Sequence, residues 1–309
     1  MKQKKNSMFY SVLLLITAIV WGFGFIAVKN SLDYVSPFYL LAFRFTIGAL
    51  GMCMIFYKKL IKIRKSDLMC GILLGGFLFF AFTFQIKALN YTTVGKNAFL
   101  TAAYVVLVPL FDWLIKKIRP STNSFLATIP CIIGIGLLSL DSNLNLNLGD
   151  ILTLICAVFY ALHMVVSDIQ MKKGHDPIIL NVLQISFAAI YSWIFAALFE
   201  TFPSLGIHSD SMIGILYLGI GCTMLAFLFQ MIGQSHTSPS TASLLLSTES
   251  VFGVLFSIIL LGENINGKMV LGFCFIFLAV IMSDIGIDFS KIKIRLPRKE
   301  EENSVDSIE

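Results

Sequence analysis

Glu249 is a carboxylate inside a long apolar run of the sequence, at 240–261. If that run crosses a bilayer, its nine preceding residues at ~1.5 Å each place Glu249 ~13 Å deep, near the middle of a ~30 Å hydrocarbon core. A carboxylate at that depth costs several kcal/mol unless it is protonated, paired or hydrated. We interpret Glu249 either as a group that takes up and releases a proton or as a structural hydrogen-bonding partner of a neighbouring helix, and both readings stay open.

Arg44 lies at a comparable depth in the run at 37–57. Its guanidinium could be the counter-charge of an anionic substrate group or of Glu249, because a guanidinium pairs well with a carboxylate. It could equally lock two helices together. Gly48 and Gly51 follow on the same helical stripe, and small residues let another helix approach closely.

A histidine ordinarily titrates near neutral pH, so His163 is a candidate proton relay, although a lone histidine on a helix face is more often a hydrogen-bonded interior group. Gln85 and Gln230 are candidates for polar contacts to a substrate, because they occupy equivalent positions in the two halves of the chain. Three aromatic side chains are placed either to wall in a substrate or to pack in the core: Trp21, Tyr104 and Tyr160. We assign no catalytic role to any of these residues.

These side chains need a scaffold, and the composition indicates a helical membrane protein. Of 309 residues, 57% are hydrophobic and 13% are charged, against roughly 25% charged in an ordinary soluble domain. A membrane-spanning helix needs about 20 mostly apolar residues, whereas barrel strands are short and alternating. Ten such runs are present, at 9–28, 37–57, 67–87, 94–115, 122–140, 150–169, 178–199, 212–233, 240–261 and 268–287. We predict an all-α membrane protein of ten transmembrane helices.

Lysine and arginine residues concentrate in alternate connections between these runs. With the amino terminus inside the cell, 18 of the 23 lie on the cytoplasmic side, four lie outside and Arg44 lies within a span. Because cytoplasmic loops carry an excess of such residues, we predict an integral plasma-membrane protein with both termini in the cytoplasm. The connection at 58–65 is then cytoplasmic and the linker at 141–150 is external. The net charge of +5 follows from this topology, and no nucleic-acid partner is expected.

The second half of the chain repeats the first. A shift of 145 positions aligns 81–111 with 226–256 and sets Gln85 on Gln230. Five spans in each half is an odd number, so the halves must enter the membrane in opposite orientations. This is the plan of many secondary transporters, whose site lies near the bilayer midplane between the two repeats.

The predicted units are a first repeat at 9–140 with helices one to five, a second repeat at 149–287 with helices six to ten, and a cytoplasmic tail at 288–309. The same register pairs Tyr104 with Glu249. We therefore expect the helix faces that carry these two side chains to line one shared cavity.

Several strings of the sequence resemble the EamA-like family of the drug/metabolite transporter superfamily. GDILTLICAVFYALHMVVSD at 149–168, GCTMLAFLFQMIGQSHTSP at 221–239 and TESVFGVLFSIILLGE at 248–263 are similar to the second repeat of that family. GKNAFLTAAYVVLVPLF at 95–111 and KKIRPST at 116–122 are similar to the first. The resemblance covers nearly the whole chain.

The resemblance implies ten helices around a central cavity and secondary transport of small metabolites by alternating access, commonly outward, with amino acids, other metabolites or drugs as substrates. Where the family commonly has proline after the glutamate of the ninth span, this chain has Ser250. The resemblance therefore leaves open whether that helix bends after Glu249.

Other classes of protein remain as alternatives. A membrane-embedded enzyme would need a catalytic pair, and we expect Asp112, Asp168 and Asp284, near the ends of spans, to be caps or surface residues. A receptor or a scramblase without solute transport is the other alternative. The six cysteines are spread over different spans without a CxxC pair, so we interpret them as small packing residues. Since neither a metal-binding spacing nor a phosphate-binding loop occurs, we expect no metal, no cofactor and no ATP-driven pumping.

The expected partners are a small-molecule substrate, the lipid bilayer and a coupling proton or ion. The sequence leaves the substrate, the direction of transport and the oligomeric state open.

Overall fold

The computed structural model describes residues 2–117, 126, 128–139, 147–203 and 209–284. Every regular element in these ranges is helical. The elements are α1 (Lys2–Ser31), α2 (Pro37–Leu60), α3 (Lys65–Ala88), α4 (Val94–Thr101), α5 (Tyr104–Lys116), α6 (Thr128–Ser139), α7 (Leu148–Lys172), α8 (Pro177–Phe199), α9 (Ser209–Leu216), a π-helical segment (Tyr217–Leu225), α10 (Ala226–Gln234), α11 (Pro239–Ser247), α12 (Glu249–Leu261) and α13 (Gly267–Asp284).

Eight helical segments of the described chain are long and apolar enough to cross a membrane. Two shorter apolar helices, Thr128–Leu138 and Gly267–Ala279, lie within the fifth and tenth predicted spans. The prediction of an all-α membrane protein is confirmed. Residues 141–146 of the predicted external linker and the predicted tail at 288–309 lie outside the described residues.

Three of the long helices begin with proline, at Pro37, Pro177 and Pro239. Proline suits the first position of a helix because its fixed φ is helical and its missing N–H would have no partner there. Before Pro177, the Asp176 carboxylate accepts hydrogen bonds from the N–H groups of Ile178 and Ile179. These sequence signals fix where the second, seventh and ninth spans start.

Close helix packing depends on glycine at many contacts, including those of Gly75 and Gly48. A Cβ atom at Gly75 of α3 would lie 2.7 Å from Phe187 Cβ and 2.8 Å from the Gln184 carbonyl oxygen of α8. A Cβ atom at Gly48 of α2 would lie 2.5 Å from the methyl group of Thr223 in the π-helical segment. The predicted small-residue surface beside Arg44 therefore packs against another helix, as expected.

At one end of the bundle, carboxylates from the second half bind helix starts from the first. Glu200, just after α8, accepts hydrogen bonds from the N–H groups of Phe38 and Tyr39 at distances of 3.0 and 3.1 Å. Glu263, just after α12, accepts from the N–H groups of Val94 and Gly95 at 2.7 and 3.0 Å. Free N–H groups at a helix start favour a negative charge, so these contacts tie the two halves together.

Ion pairs join the helices at the other end. Lys59 of α2 contacts Asp176 at 2.6 Å, and Lys116 of α5 contacts Asp168 of α7 at 2.9 Å. Partial burial raises the pKa of Asp176, but the Lys59 ammonium and two backbone N–H donors outweigh it and hold that pKa below its ordinary value. Asp168 is buried and also pairs with Lys172, so the expectation of a cap or surface residue is wrong for it. A nearby lysine on the facing helix made burial of this carboxylate possible.

Three spans are interrupted inside the bundle. The fourth breaks at Ala102 and Ala103 between α4 and α5, and the ninth breaks at Thr248 between α11 and α12. The eighth contains the π-helical segment Tyr217–Leu225. Tyr104 and Glu249, which the repeat register pairs, are each the first residue of the helix that follows a break. The ninth span is thus interrupted without the proline that the family commonly has.

Candidate functional site

A cavity with about 520 Å³ of empty space, counting its mouth, lies between α1, α2, α3, α4, α7, the π-helical segment and α12. Its walls are formed by Trp21, Gly24, Phe25, Val28, Arg44, Ala81, Phe82, Gln85, Leu89, Thr101, Cys156, Tyr160, Leu218, Cys222 and Glu249. Helices of both halves of the chain therefore contribute to one cavity.

Glu249 reaches this cavity because the break at Thr248 starts a new helix there. Its side chain is 4% exposed, and it lies within electrostatic range of the phenol groups of Tyr104 and Tyr160. No described residue forms an ion pair with it.

Arg44 lines the same cavity from α2 and is 2% exposed. Its Nε donates a hydrogen bond of 3.1 Å to Thr223 Oγ1, and its guanidinium carbon lies 4.6 Å from the centre of the Phe82 ring. Within the described part of the chain it has no carboxylate partner, Glu249 included. Arg44 and Glu249 are therefore a buried base and a buried acid that face one cavity without forming an ion pair.

The predicted aromatic residues surround Glu249, but only two of them reach the cavity. The indole N–H of Trp21 donates a 2.8 Å hydrogen bond to the Cys222 carbonyl oxygen, which fixes the ring in the wall. Tyr160 lies edge-on to Trp21, with ring centres 6.1 Å apart. Tyr104 lies edge-on behind Tyr160, with ring centres 4.9 Å apart, and is fully buried rather than lining the cavity.

Gln85 and Gln230 are equivalent in the repeat but differ in their surroundings. Gln85 lines the cavity and donates a 3.3 Å hydrogen bond to Thr101 Oγ1. Gln230 is fully buried behind the wall, where its amide lies next to the Tyr160 hydroxyl. The repeat register alone does not determine which of the two amides faces the cavity.

His163 also lies outside the cavity wall. Its Nε2 is 2.8 Å from Gln184 Oε1 and 3.5 Å from Ser167 Oγ, and its ring is fully buried. Phe227 lies between this group and the cavity, with its ring 5.0 Å from Trp21 and 6.5 Å from His163. An aromatic layer therefore closes the cavity on the side of His163.

Sequence reasoning did not assign several wall residues. Thr101 lies on the helical face of Tyr104 that the sequence predicts to line the cavity, although it was not singled out as a site residue. Cys156 and Cys222 line the cavity although cysteines were interpreted only as packing residues. Thr223, which positions Arg44, lies in a π-helical segment that the local sequence does not predict. Among the described residues, no group of three or more histidine, cysteine or acidic side chains could hold a metal ion.

A bundle of apolar helices around a mostly apolar cavity with a few ionisable groups in its wall defines an integral, multi-pass membrane protein. Comparison with known proteins identifies its family. The model of the EamA-like transporter family matches residues 8–140 and again residues 147–283. This chain belongs to that family. The family assignment and the transporters among its relatives make it a membrane transporter.

Three relatives and one structure illustrate the similarity. An uncharacterized transporter of Archaeoglobus fulgidus is 32% identical over 89% of this chain and 85% of its own length. The uncharacterized transporter YoaV of Bacillus subtilis is 23% identical over 91% and 98% of the two chains. Mouse solute carrier family 35 member F2 is 23% identical over 64% of this chain and 55% of its own length. A solved structure with 18% identity has a TM-score of 0.68, covers 89% of this chain and 97% of its own, and shares the fold.

Proposed function

We propose that the protein is a secondary transporter that carries small metabolites across the plasma membrane by alternating access around the cavity. Transport runs in the outward direction, and the substrates are amino acids, other metabolites or drugs. The observation that carries this proposal is a buried base and a buried acid, Arg44 and Glu249, in the wall of one cavity and without an ion-pair partner among the described residues. Buried ionisable groups of this kind in membrane helices commonly mark the path of a substrate or ion.

Glu249 is the proposed coupling residue. A carboxylate with no ion-pair partner, deep in the bundle, is neutral when protonated and costly when ionised, so its charge state and the occupancy of the cavity depend on each other. His163 has no contact with the cavity, which favours Glu249 over a histidine relay. The phenol groups of Tyr104 and Tyr160 lie close enough to Glu249 to share the proton, and Tyr160, which lines the cavity, can also contact the bound solute.

The two repeats, 9–140 and 149–287, are the proposed moving units. Both halves line the cavity, and discontinuous helices at a midplane site are a feature of transporters built from inverted repeats. On the proposed orientation, with both termini cytoplasmic, the cavity lies in the outer half of the bundle, because Val28 and Leu89 of its wall lie at the outer ends of α1 and α3. Phe227 then closes the cytoplasmic side.

The test is solute flux in sealed vesicles that contain only the purified protein and no nucleotide. Vesicles are loaded with a mixture of amino acids, nucleosides and sugars, and the solutes that leave under an imposed proton gradient are measured by mass spectrometry. We expect gradient-dependent loss of a small subset of these solutes. Flux that requires ATP would contradict the proposal. If no solute flux occurs, chemical conversion of a solute would favour the enzyme alternative, and movement of lipid between the leaflets would favour the scramblase alternative.

A further inference from the structure

We propose that a buried polar cluster of α7, α8 and α10 is a second solute site, which binds the solute by hydrogen bonds when the transporter opens to the cytoplasm. The cytoplasmic cluster consists of His163, Ser167, Asn181, Gln184 and Gln234, all at most 1% exposed. On the proposed orientation it lies in the cytoplasmic half of the bundle. The inference rests on the proposed transport function and adds the place where the solute binds on the cytoplasmic side.

Four members of the cytoplasmic cluster are the repeat counterparts of residues in the cavity wall. A shift of 139 positions sets 18–28 on 157–167, a shift of 140 sets 37–44 on 177–184, and the shift of 145 sets 81–111 on 226–256. Repeats of opposite orientation place equivalent residues on opposite sides of the membrane midplane. In these registers the wall residues Gly24, Val28, Arg44 and Leu89 correspond in this order to His163, Ser167, Gln184 and Gln234.

Two pairs of equivalent aromatic side chains meet between the cavity and the cytoplasmic cluster. The ring centres of Trp21 and Tyr160 are 6.1 Å apart, and those of Phe82 and Phe227 are 5.9 Å apart. Equivalent residues of two repeats can touch each other only near the axis that relates the repeats. Phe82 lines the cavity, whereas Phe227 lies between the cavity and His163. The cytoplasmic cluster is therefore the image of the cavity across this aromatic layer.

The polar side chains of the cytoplasmic cluster bind one another only in part. His163 Nε2 lies 2.8 Å from Gln184 Oε1, and the Gln184 amide nitrogen donates a 2.9 Å hydrogen bond to Asn181 Oδ1. Since Gln184 Oε1 accepts, Nε2 carries the proton of the ring and Nδ1 is an acceptor. Three atoms of the cluster form no hydrogen bond to a described residue: His163 Nδ1, the Asn181 amide nitrogen and Gln234 Oε1. Buried polar atoms rarely stay without partners, so these three are available to a ligand.

These three atoms define the chemistry of the group that the cytoplasmic cluster binds. Two of them are acceptors and one is a donor, which suits a group that itself carries both, such as a hydroxyl or an amide. The counterpart of the Arg44 guanidinium is the uncharged amide of Gln184. We therefore expect the cluster to bind an uncharged, hydrogen-bonding part of the solute. A cluster that only holds three helices together would never need to open.

The first test asks whether the cytoplasmic cluster opens to water. Ser167→Cys in sealed vesicles is treated with a charged, membrane-impermeant thiol reagent from either side, and mass spectrometry locates each modified thiol. We expect reaction of Ser167→Cys from the cytoplasmic side and of the native Cys156, which lines the cavity, from the external side. Ser192→Cys is the matched control and should stay unmodified, since Ser192 is an equally buried serine whose hydroxyl bonds within its own helix.

Three labelling results would overturn the inference. A Ser167→Cys thiol that never reacts while Cys156 does would show a permanently closed core. Reaction of Ser167→Cys only from the external side would place the cluster on the wrong path. Equal reaction of Ser167→Cys and Ser192→Cys would show a general loosening of the bundle.

The second test asks whether the opened cluster binds the solute. Asn181→Leu and Gln234→Met keep the approximate size of each side chain but remove the hydrogen-bonding atoms, and Ser192→Ala is the control. The solutes of the vesicle mixture that are transported are measured over a range of concentrations on each side. We expect the KM on the cytoplasmic side to rise about three- to tenfold, as the loss of an uncharged hydrogen bond predicts, and the external KM to change by less than about twofold.

A structural role of the cytoplasmic cluster makes a different forecast, because a destabilised bundle would impair transport equally from both sides. Equal changes of both KM values in both variants would overturn the inference. Flux that continues while Ser167→Cys stays unreactive would remove the second site and leave the transport proposal standing. Reaction of Ser167→Cys in vesicles that carry none of the solutes would contradict transport and, with it, the role of the cluster as a solute site.

Discussion

Glu249 and Arg44 could be selected from the sequence because charge inside an apolar run is costly whatever the tertiary structure is. Their depth in the runs indicated a shared level in the membrane, and the structure places both in one cavity wall. What the sequence could not supply is their relation to each other. Periodicity gives the face of each helix, but whether two charges pair depends on how the helices turn and pack.

The same limit explains the two glutamines. Gln85 and Gln230 occupy equivalent positions in the repeats, yet only Gln85 reaches the cavity. A duplicated sequence fixes equivalent backbone positions, while the neighbours of each helix differ between the two halves.

At the residue scale, the indole N–H of Trp21 is expected to stabilise the cavity wall. Trp21→Phe keeps an aromatic ring but removes the hydrogen bond to the Cys222 carbonyl oxygen, which should cost about 1 kcal/mol of folded-state stability and weaken solute binding. Trp193→Phe is the matched control, since Trp193 donates to Thr46 on the exposed surface of the bundle. Equal effects of the two variants on stability and binding would contradict this role of Trp21.

At the scale of helices, apolar runs and proline starts located the spans to within a few residues. The interruptions were not predictable. The sequence at 217–225 contains no proline or charged residue that would predict a π-helix. The ninth span breaks at Thr248 although no proline follows Glu249. These irregularities depend on contacts between helices, such as that of Gly48 with Thr223, and local sequence carries little information about them.

Two neighbouring glycines of α3 give a direct test of helix packing. Gly75→Ala would bring a methyl group within 2.8 Å of the Gln184 carbonyl oxygen, so α3 and α8 must separate, and we expect a loss of about 1–3 kcal/mol in stability. Gly76→Ala is the control, because its methyl group would meet only Tyr191, at 3.9 Å. The check is the thermal unfolding of both variants in the same detergent, and a Gly76→Ala variant as unstable as Gly75→Ala would refute the packing argument.

The contact of Glu263 with the start of α4 is expected to hold the two halves together. Glu263→Gln keeps the shape but removes the charge that faces the N–H groups of Val94 and Gly95, so stability should fall by about 1 kcal/mol. Glu263→Asp, which keeps the charge on a shorter side chain, should recover part of the loss. Unfolding temperatures of the three proteins measure this, and a Gln variant as stable as the wild type would show that the carboxylate charge is not required.

At the scale of the whole molecule, the excess of lysine and arginine in alternate connections predicts which end of the bundle is cytoplasmic. The ion pairs of Lys59 and Lys116 lie at that end, and the carboxylates of Glu200 and Glu263 lie at the other. A cysteine at Asn145 should therefore react with an impermeant thiol reagent added to whole cells, whereas a cysteine at Lys62 should not. Labelling at Lys62 with none at Asn145 would reverse the orientation.

The dependence of flux on pH, with and without Glu249, tests the central claim most directly. Wild-type protein and Glu249→Gln are compared in identical sealed vesicles over a series of proton gradients, with Ser257→Ala as the control, since Ser257 is a buried residue of α12 outside the cavity wall. The amide keeps the size of the carboxylate but cannot titrate. We predict that gradient-dependent flux disappears in Glu249→Gln and persists in Ser257→Ala. Unchanged flux and an unchanged pH profile in Glu249→Gln would contradict the coupling role of Glu249.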